Sequence, residues 1–335
     1  METILDPFDA PPLNWGFMGP GGIAATVAES LVKATRQRLV AVGSRSLERA
    51  EAFARRFGAP RAYGSYAALA ADPEVDAVYI ATLHHTHFPL AVLALEAGKA
   101  VLVEKAFTLN QAEARQLADL AGRRGLFLME AMWTRFLPHM IELRNWAAAG
   151  RLGEIRYLQA DFGFAHDYDP TSRMFDPAVG GGALLDRGVY PLYLAADFLG
   201  LPSRVAASAT LAPSGADAQF SAILDYPRGQ ALIESSMIVT TPQEAWLAGT
   251  EAMVRIPARY WSPTGLELHA DGKVETWRRQ VVGAGYEFEL AEVARRVSDG
   301  ATGSAVMPVA ESVELTGLLD QIRGQIGVVW PGEAG

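Results

Sequence analysis

The stretch Trp15-Gly16-Phe17-Met18-Gly19-Pro20-Gly21-Gly22-Ile23-Ala24 limits what this chain can fold into more than any other. An apolar strand runs into a glycine turn, and the turn opens a helix that the spacing predicts over Ile23–Thr35. Small residues stand at Gly19-x-Gly21-x-x-Ala24. In a strand–turn–helix unit the first glycine turns the chain tightly, the second lets backbone approach a pyrophosphate, and a small third residue packs helix on strand. Phosphates then sit on the helix N-terminus, at Gly19, Gly21, Gly22 and Ile23. A glycine-rich surface turn gives the same string, so the residues that follow must decide.

Arg38–Gly43 reads as a second strand ending in Ser44-Arg45-Ser46, about 20 residues past the turn. An NAD site carries Asp or Glu there for the ribose 2′-hydroxyl. Ser44 and Arg45 offer a hydroxyl and a guanidinium instead, which suits a 2′-phosphate and hence NADP; the alternative is that Arg45 is a solvated loop charge. Ser46 caps the next helix, on which Leu47, Ala50, Phe53 and Phe57 recur at helical spacing until Gly58. Alternation continues with helix Ser65–Ala71, strand Ala77–Ala81, helix His87–Ala97, strand Ala100–Val103, helix Asn110–Arg124 and strand Leu126–Glu130. Such alternation predicts a doubly wound parallel sheet of the Rossmann kind. Ligands bind outside the carboxyl ends of its strands, which places Thr82, His84, His87, Glu104 and Lys105 beside the nicotinamide half of the cofactor. No carboxylate or thiol cluster joins His84, His85 and His87 at a metal-ligand spacing, so no metal site is expected.

From Met132 onward the pattern changes, with helix Pro138–Ala149, strand Glu154–Phe164 and further strands at 205–210, 219–226, 230–240 and 253–257. The runs 219–226 and 230–240 flank Pro227-Arg228-Gly229 as a hairpin. This predicts an α+β domain with a large, mostly antiparallel open sheet, closed by helices near Tyr286–Asp299 and Val309–Val328. The expected division is a tail over 1–12, a nucleotide-binding domain over 13–131 and a substrate and dimerisation domain over 132–335. A chain that is 50% hydrophobic and 20% charged has the composition of a soluble enzyme. Its net charge of -9 argues against nucleic acid or anionic membrane as partner. With no cysteine, disulfides, thiolate catalysis and cysteine-ligated metals are excluded, which fits a reducing cytoplasm. Met1–Pro12 has neither a basic nor an apolar region and reads as a tail, not a signal peptide. No apolar run approaches the roughly 20 residues of a membrane span.

The run Gly180-Gly181-Gly182 enters a predicted helix on which Asp186 and Tyr190, four apart, share one face. An acid and a phenol so placed make either an ordinary helix hydrogen bond or a proton-handling pair. Taken with Val101-Leu102-Val103-Glu104-Lys105 and Glu130-Ala131-Met132-Trp133-Thr134-Arg135-Phe136, the chain resembles the Gfo/Idh/MocA family nearly end to end. Within it, the sequence looks like the dimeric dihydrodiol dehydrogenase and NADP-dependent xylose dehydrogenase branch. The resemblance implies that Lys105 lies between nicotinamide and substrate while Asp186 and Tyr190 reach in from the second domain. Tyrosine, with a free pKa near 10, becomes a usable base when a neighbouring ammonium stabilises phenolate, and Lys105 carries such a charge. Trp133 and Phe162 are walls of the substrate pocket or core aromatics, and the same motif puts Arg135 at the substrate.

Two positions depart from the family pattern. Ala106 replaces the usual proline after Lys105, and Arg187 stands where relatives carry an apolar residue, either facing solvent or adding charge at the substrate mouth. The reading is an NADP-dependent oxidoreductase acting on a polyol, sugar or cyclic diol, assembled as a homodimer or higher homo-oligomer. The alternative is a nucleotide-binding regulator or sensor on the same fold that does no chemistry.

Overall fold

The structure, a computed structural model, describes residues 1–330. The chain forms two compact units: Leu5–Leu137 with Val281–Thr316, and Met1–Ile4 with Pro138–Gln280 and the described chain from Gly317 on.

The first unit carries β1 (Asn14–Met18), α1 (Gly22–Ala34), β2 (Arg38–Gly43), α2 (Leu47–Phe57), β3 (Arg61–Tyr63), α3 (Tyr66–Ala70), β4 (Ala77–Ile80), α4 (His87–Glu96), β5 (Ala100–Glu104), α5 (Gln111–Arg124) and β6 (Leu128–Ala131). The strands pair in the order β3-β2-β1-β4-β5-β6, each pair parallel. Every residue of β4, β5 and β6 is buried, as strands covered by helices on both faces require. Local chemistry fixes the helix ends. Ser46, Ser65 and Asn110 accept the backbone N–H of Arg49, Ala68 and Glu113, and Gly58 and Gly125 close α2 and α5 in the left-handed region. Strand order reverses between β1 and β4, the switch point at which a crevice opens beyond the carboxyl ends of such strands. The glycine turn after β1 lies there. Gly19 has φ +94°, and a Cβ on it would stand 2.7 Å from Thr82 Cγ2 and 2.8 Å from the Ala81 carbonyl oxygen, so the turn is wedged against the end of β4.

The second unit begins with α6 (Pro138–Ala148) and β7 (Ile155–Gly163), and α7 (Val189–Leu199) follows a long loop. Then come β8 (Arg204–Leu211), β9 (Asp217–Tyr226), β10 (Gly229–Ser236), β11 (Ala245–Gly249), β12 (Met253–Ile256), β13 (Leu266–Ala270) and β14 (Lys273–Trp277). The sheet order is β14-β13-β12-β11-β7-β10-β9-β8, antiparallel throughout except at β7–β10. The hairpin joins β9 to β10 with Tyr226 opposite Gly229. Leu158, Ala160, Ala222, Leu224, Ala231 and Ile233 are buried on one face, and Tyr157 and Ile223 on the other are exposed. A sheet with one solvated face alternates in this way. After α7 the helices are α8 (Glu287–Ser298), in the first unit, and α9 (Val309–Ile326).

The helix expected to carry both Asp186 and Tyr190 is not one α-helix. Leu184–Gly188 is a π-helical turn, and α7 starts only at Val189. Pro191 accounts for the break: it has no N–H for the Arg187 carbonyl, so an unbroken α ladder cannot cross it, whereas proline is tolerated in the first turn of a helix that starts just before it.

Gly19→Ala places a Cβ against two neighbours at a φ that only glycine adopts without strain. It is expected to lower the unfolding free energy by about 1–3 kcal/mol, read as a downward shift of the denaturant midpoint.

Candidate active site

In the first unit, α1 starts at Gly22 with Gly21 before it, and Gly19 N–H is held by the Gly43 carbonyl at 3.0 Å. Backbone N–H groups at a helix start have no partner within the helix. A Cβ on Gly21 would meet only the Ala81 carbonyl oxygen, at 3.9 Å, and one on Gly22 would meet nothing within 4 Å. The backbone at this helix start is therefore open to close approach, the arrangement that suits a pyrophosphate. At the end of β2, Ser44 is buried and its hydroxyl accepts Ser46 N–H at 3.2 Å. Burial pushes the nearby Tyr66 phenol up while the guanidinium groups of Arg45 and Arg49 pull it back, which brings two cations to this corner.

The ends of β4 and β5 are tied together. His87 is fully buried, with Nδ1 at 2.9 Å from the Ala106 carbonyl oxygen and Nε2 at 3.3 Å from that of Thr82. Burial lowers its pKa to about 4, with the Lys105 charge acting in the same direction. A neutral imidazole has one N–H, and the shorter distance assigns it to Ala106. The Lys105–Ala106 peptide bond is cis. Glu104 accepts from the Tyr79 hydroxyl through Oε1 and from Lys105 N–H at 3.1 Å through Oε2. Burial, then the Glu104 charge, raise Tyr79 well above the usual phenol range. Behind them Glu289, on α8, has no exposed surface, and neither of its oxygens finds a hydrogen-bond partner among the described residues. Burial, with the charges of Glu104 and Glu287, pushes Glu289 far above the carboxylate range, so it is held as the neutral acid.

In the second unit Tyr190 is 9% exposed and its ring lies 5.2 Å from that of Phe162. Phe162 in turn stacks flat on Trp261 at 3.6 Å, with Phe164 edge-on to both. Asp186 stands 3.5 Å from Arg173 and 3.7 Å from Arg187. Arg187 neither faces solvent nor projects as a free charge. It is buried and donates to the Phe164 carbonyl at 2.8 Å and the Ser236 carbonyl at 2.6 Å, pinning the turn that carries Asp186 to the ends of β7 and β10.

Residues 13–132 match the oxidoreductase family with an NAD-binding Rossmann fold, and residues 140–255 match the Gfo/Idh/MocA C-terminal domain. The chain belongs to the Gfo/Idh/MocA oxidoreductase family. Trans-1,2-dihydrobenzene-1,2-diol dehydrogenase of Mus musculus is 38% identical over 333 residues, 95% of this chain and 98% of that protein. The enzyme of the same name from Danio rerio is 35% identical over 332 residues, again 95% and 98% of the two chains. Among solved structures, a 3-ketoreductase from Actinomadura kijaniata bound to NADP and TDP-benzene superposes with a TM-score of 0.81 at 25% identity, covering 94% of this chain and 98% of that one. Levoglucosan dehydrogenase in complex with NADH and levoglucosan shares the fold, with a TM-score of 0.85 at 19% identity over 95% and 98% of the two chains.

Within this oxidoreductase, Gly19, Gly21, Gly22, Ile23 and Thr82 gather at the switch point, and Phe162 and Tyr190 gather in the second unit. Two expected site residues have partners within the first unit. Arg135 is buried and makes a two-pronged bond to Glu311 at 2.6 and 2.7 Å, so its guanidinium is occupied in fastening the turn after β6 to the start of α9. His87 acts on Lys105 through backbone, because both its nitrogens face carbonyl oxygens. The sequence reading missed Arg49, Tyr79, Trp261 and Glu289, and it missed Tyr286, on which Trp133 stacks at 4.4 Å. Arg49 alone had an available signal, four residues past Arg45 at the start of α2. Among the described residues no group of three or more His, Asp or Glu is placed to hold a metal ion, and no helix is long and apolar enough to cross a membrane.

A carboxyl raised in the folded state binds its proton more tightly there than in the unfolded chain. Its contribution to stability is therefore intact below the ordinary carboxyl pKa near 4.5 and is lost as pH climbs from there toward the folded value. Glu289→Gln, which mimics the neutral acid, is expected to melt a few degrees above wild type at about pH 8 and level with it at about pH 4. Calorimetry at the two pH values checks this, and equal melting temperatures at both would contradict a neutral Glu289.

Proposed function

We propose that this oxidoreductase is an NADP-dependent dehydrogenase or reductase acting at the CH–OH or C=O carbon of a cyclic diol, cyclic alcohol or sugar. The observation that carries the reading is Tyr190 packed against the Phe162–Trp261 stack with Asp186 on the turn before it. Flat aromatic faces suit the apolar face of a ring, and a phenol among them is placed to exchange a proton with a ring hydroxyl. The names of the relatives support this substrate class, since they include dehydrogenases of a cyclic diol and of levoglucosan and a 3-ketoreductase.

Bound nicotinamide takes or gives the hydride; the chain has to place it and handle the proton. Gly19–Ile23 receive the pyrophosphate, and Ser44, Arg45 and Arg49 receive the 2′-phosphate, with no acidic side chain at the end of β2 to repel it. Thr82, His84 and Glu104 stand at strand ends on the nicotinamide side, and Lys105 is held there by Glu104 and by the brace from His87. Tyr190 accepts the hydroxyl proton on oxidation and returns it on reduction, the Lys105 ammonium favours its phenolate, and Asp186 orients the group. With three ionisable groups sharing the task, the observed pH profile belongs to the set. Residues 13–131 supply the cofactor site and the segment from 132 supplies the substrate wall. The exposed face of the eight-stranded sheet, with Tyr157 and Ile223 on it, is where a second copy docks to form a cytoplasmic homodimer.

Titration of wild type and Arg45→Ala with both cofactors tests the preference. The variant is expected to weaken NADP by about 1.5–3 kcal/mol and to leave NAD nearly unchanged, and equal losses for the two cofactors would remove the 2′-phosphate role. A panel of trans-dihydrodiols, inositols and aldoses followed by nicotinamide absorbance identifies a substrate. With it, Tyr190→Phe is expected to lower turnover by about 10²–10⁴-fold at unchanged NADP affinity; near-normal turnover would pass the proton role to another group.

A further inference from the structure

Asp217 is the first residue of β9, is 1% exposed, and sends its side chain to the start of the π-helical turn that carries Asp186. Its Oδ2 accepts Leu184 N–H at 2.6 Å, and the neighbouring Ala183 N–H adds to the field that favours the charged carboxylate. Gly182, at φ +139°, leaves the space that Asp217 Oδ1 fills, since any Cβ there would overlap that oxygen. The far side of the same peptides is held too: Ser235 Oγ donates to the Ala183 carbonyl at 3.3 Å and to the Phe162 carbonyl at 2.9 Å. Helices α2, α3 and α5 are capped by the residue just before them, Ser46, Ser65 and Asn110. Ala183 has no side chain to cap this turn, so a strand supplies the cap.

We propose that Asp217 is a positioning residue for the proton-transfer step: by clamping the Leu184 N–H it fixes the turn that carries Asp186 and leads into Tyr190 on α7. This rests on the reading that Tyr190 and Asp186 handle the proton. Asp186 lies two residues beyond the clamp and Tyr190 six, so a slack turn start displaces both. The clamp is also sensitive to protonation. Burial raises the Asp217 carboxyl to about 7, against the backbone N–H groups of Leu184, Asp217 itself and Ala183, and no charged side chain contributes. The charges on the turn, Asp186 and Arg187, pair with each other, and Asp186 also pairs with Arg173. Above neutrality the carboxylate holds the N–H groups with full charge, favoured at a helix start; below it the acid loses acceptor strength. Beside the titration of the proton-handling set, the pH profile therefore gains a limb on which turnover rises as Asp217 ionises.

The test is steady-state kinetics of the full-length wild type, Asp217→Asn, Asp217→Ala and Ser235→Ala across neutral pH, using the substrate found with the panel. Asp217→Asn keeps an acceptor without charge and is expected to lose the limb near 7, with kcat reduced; Asp217→Ala is expected to lose about 10–10²-fold in kcat at unchanged NADP affinity. Ser235→Ala, which relaxes the same peptide from its other side, is expected to lose less and keeps the test available if Asp217→Ala fails to fold. Melting temperatures measured alongside isolate a structural role: variants that melt lower but keep wild-type kcat and pH profile overturn the proposal. Tyr190→Phe in the same series separates the two readings. Near-normal Tyr190→Phe beside impaired Asp217 variants refutes the proton assignment and leaves positioning intact, whereas impaired Tyr190→Phe beside unaffected Asp217 variants refutes positioning.

Discussion

The reversal of strand order between β1 and β4 is the constraint on which the first unit depends. Parallel neighbours need crossover helices, and a sheet that winds outward in both directions from its centre leaves one gap that no crossover covers. The gap forces three requirements onto one short turn. It must leave β1 tightly, stay clear of the end of β4, and present helix N–H groups to whatever fills the crevice. Gly19 meets the first two through its positive φ and its fit against Ala81 and Thr82, and Gly21 and Gly22 meet the third by leaving open space. A helix start left open in this way suits an anion through topology plus missing side chains, without a charged residue.

Beside that gap the chain buries more acid than it pairs. Glu104, Glu287 and Glu289 all lie in the interior of the first unit. Two carboxylates that close in a dry environment do not both stay ionised, so the donors decide where the charge goes. Glu104 receives the Tyr79 hydroxyl and Lys105 N–H, Glu287 receives Gly283 N–H at 3.0 Å and Gly285 N–H at 2.8 Å, and Glu289 receives none. The proton accordingly stays on Glu289. Lys105 thus leaves its strand beside a carboxyl that is bonded by the Tyr79 hydroxyl and by its own N–H, while neutral His87 holds the following peptide without adding a positive charge.

What was legible in the sequence was what is local. The turn, the cap at Ser46, the alternation that makes a parallel sheet and the β9–β10 hairpin each follow from residues within a few positions of one another. β3 spans three residues and is too short to show a period. The roles that escaped depend on partners far along the chain. Arg135 reads as a site residue from its motif, yet its partner Glu311 is 176 residues away. The segment 281–316 returns to the first unit through contacts such as Ala284 N–H to Ser30 Oγ, 254 residues apart, and such contacts leave no periodic trace. Trp261 lies in a loop, where no spacing distinguishes a wall of a site from a solvated aromatic, and only its flat stacking on Phe162 gives it a role.

The second unit shows how a broken local rule and a distant contact belong together. Pro191 interrupts the α ladder, and the preceding turn widens into a π-helix whose N-terminal donors cannot be capped by the alanine before it. A turn of that kind has little stability of its own, since most helical stability in proteins comes from packing and capping. Its geometry is instead imposed from the sheet: Arg187 bonds the carbonyls ending β7 and β10, Ser235 holds Ala183, and Asp217 holds Leu184. Three strands therefore determine where Asp186 stands. The sequence pattern 180–190 sets which side chains the turn carries, but their placement is written in β7, β9 and β10, so a substitution in those strands is able to move the turn without changing any of its own residues.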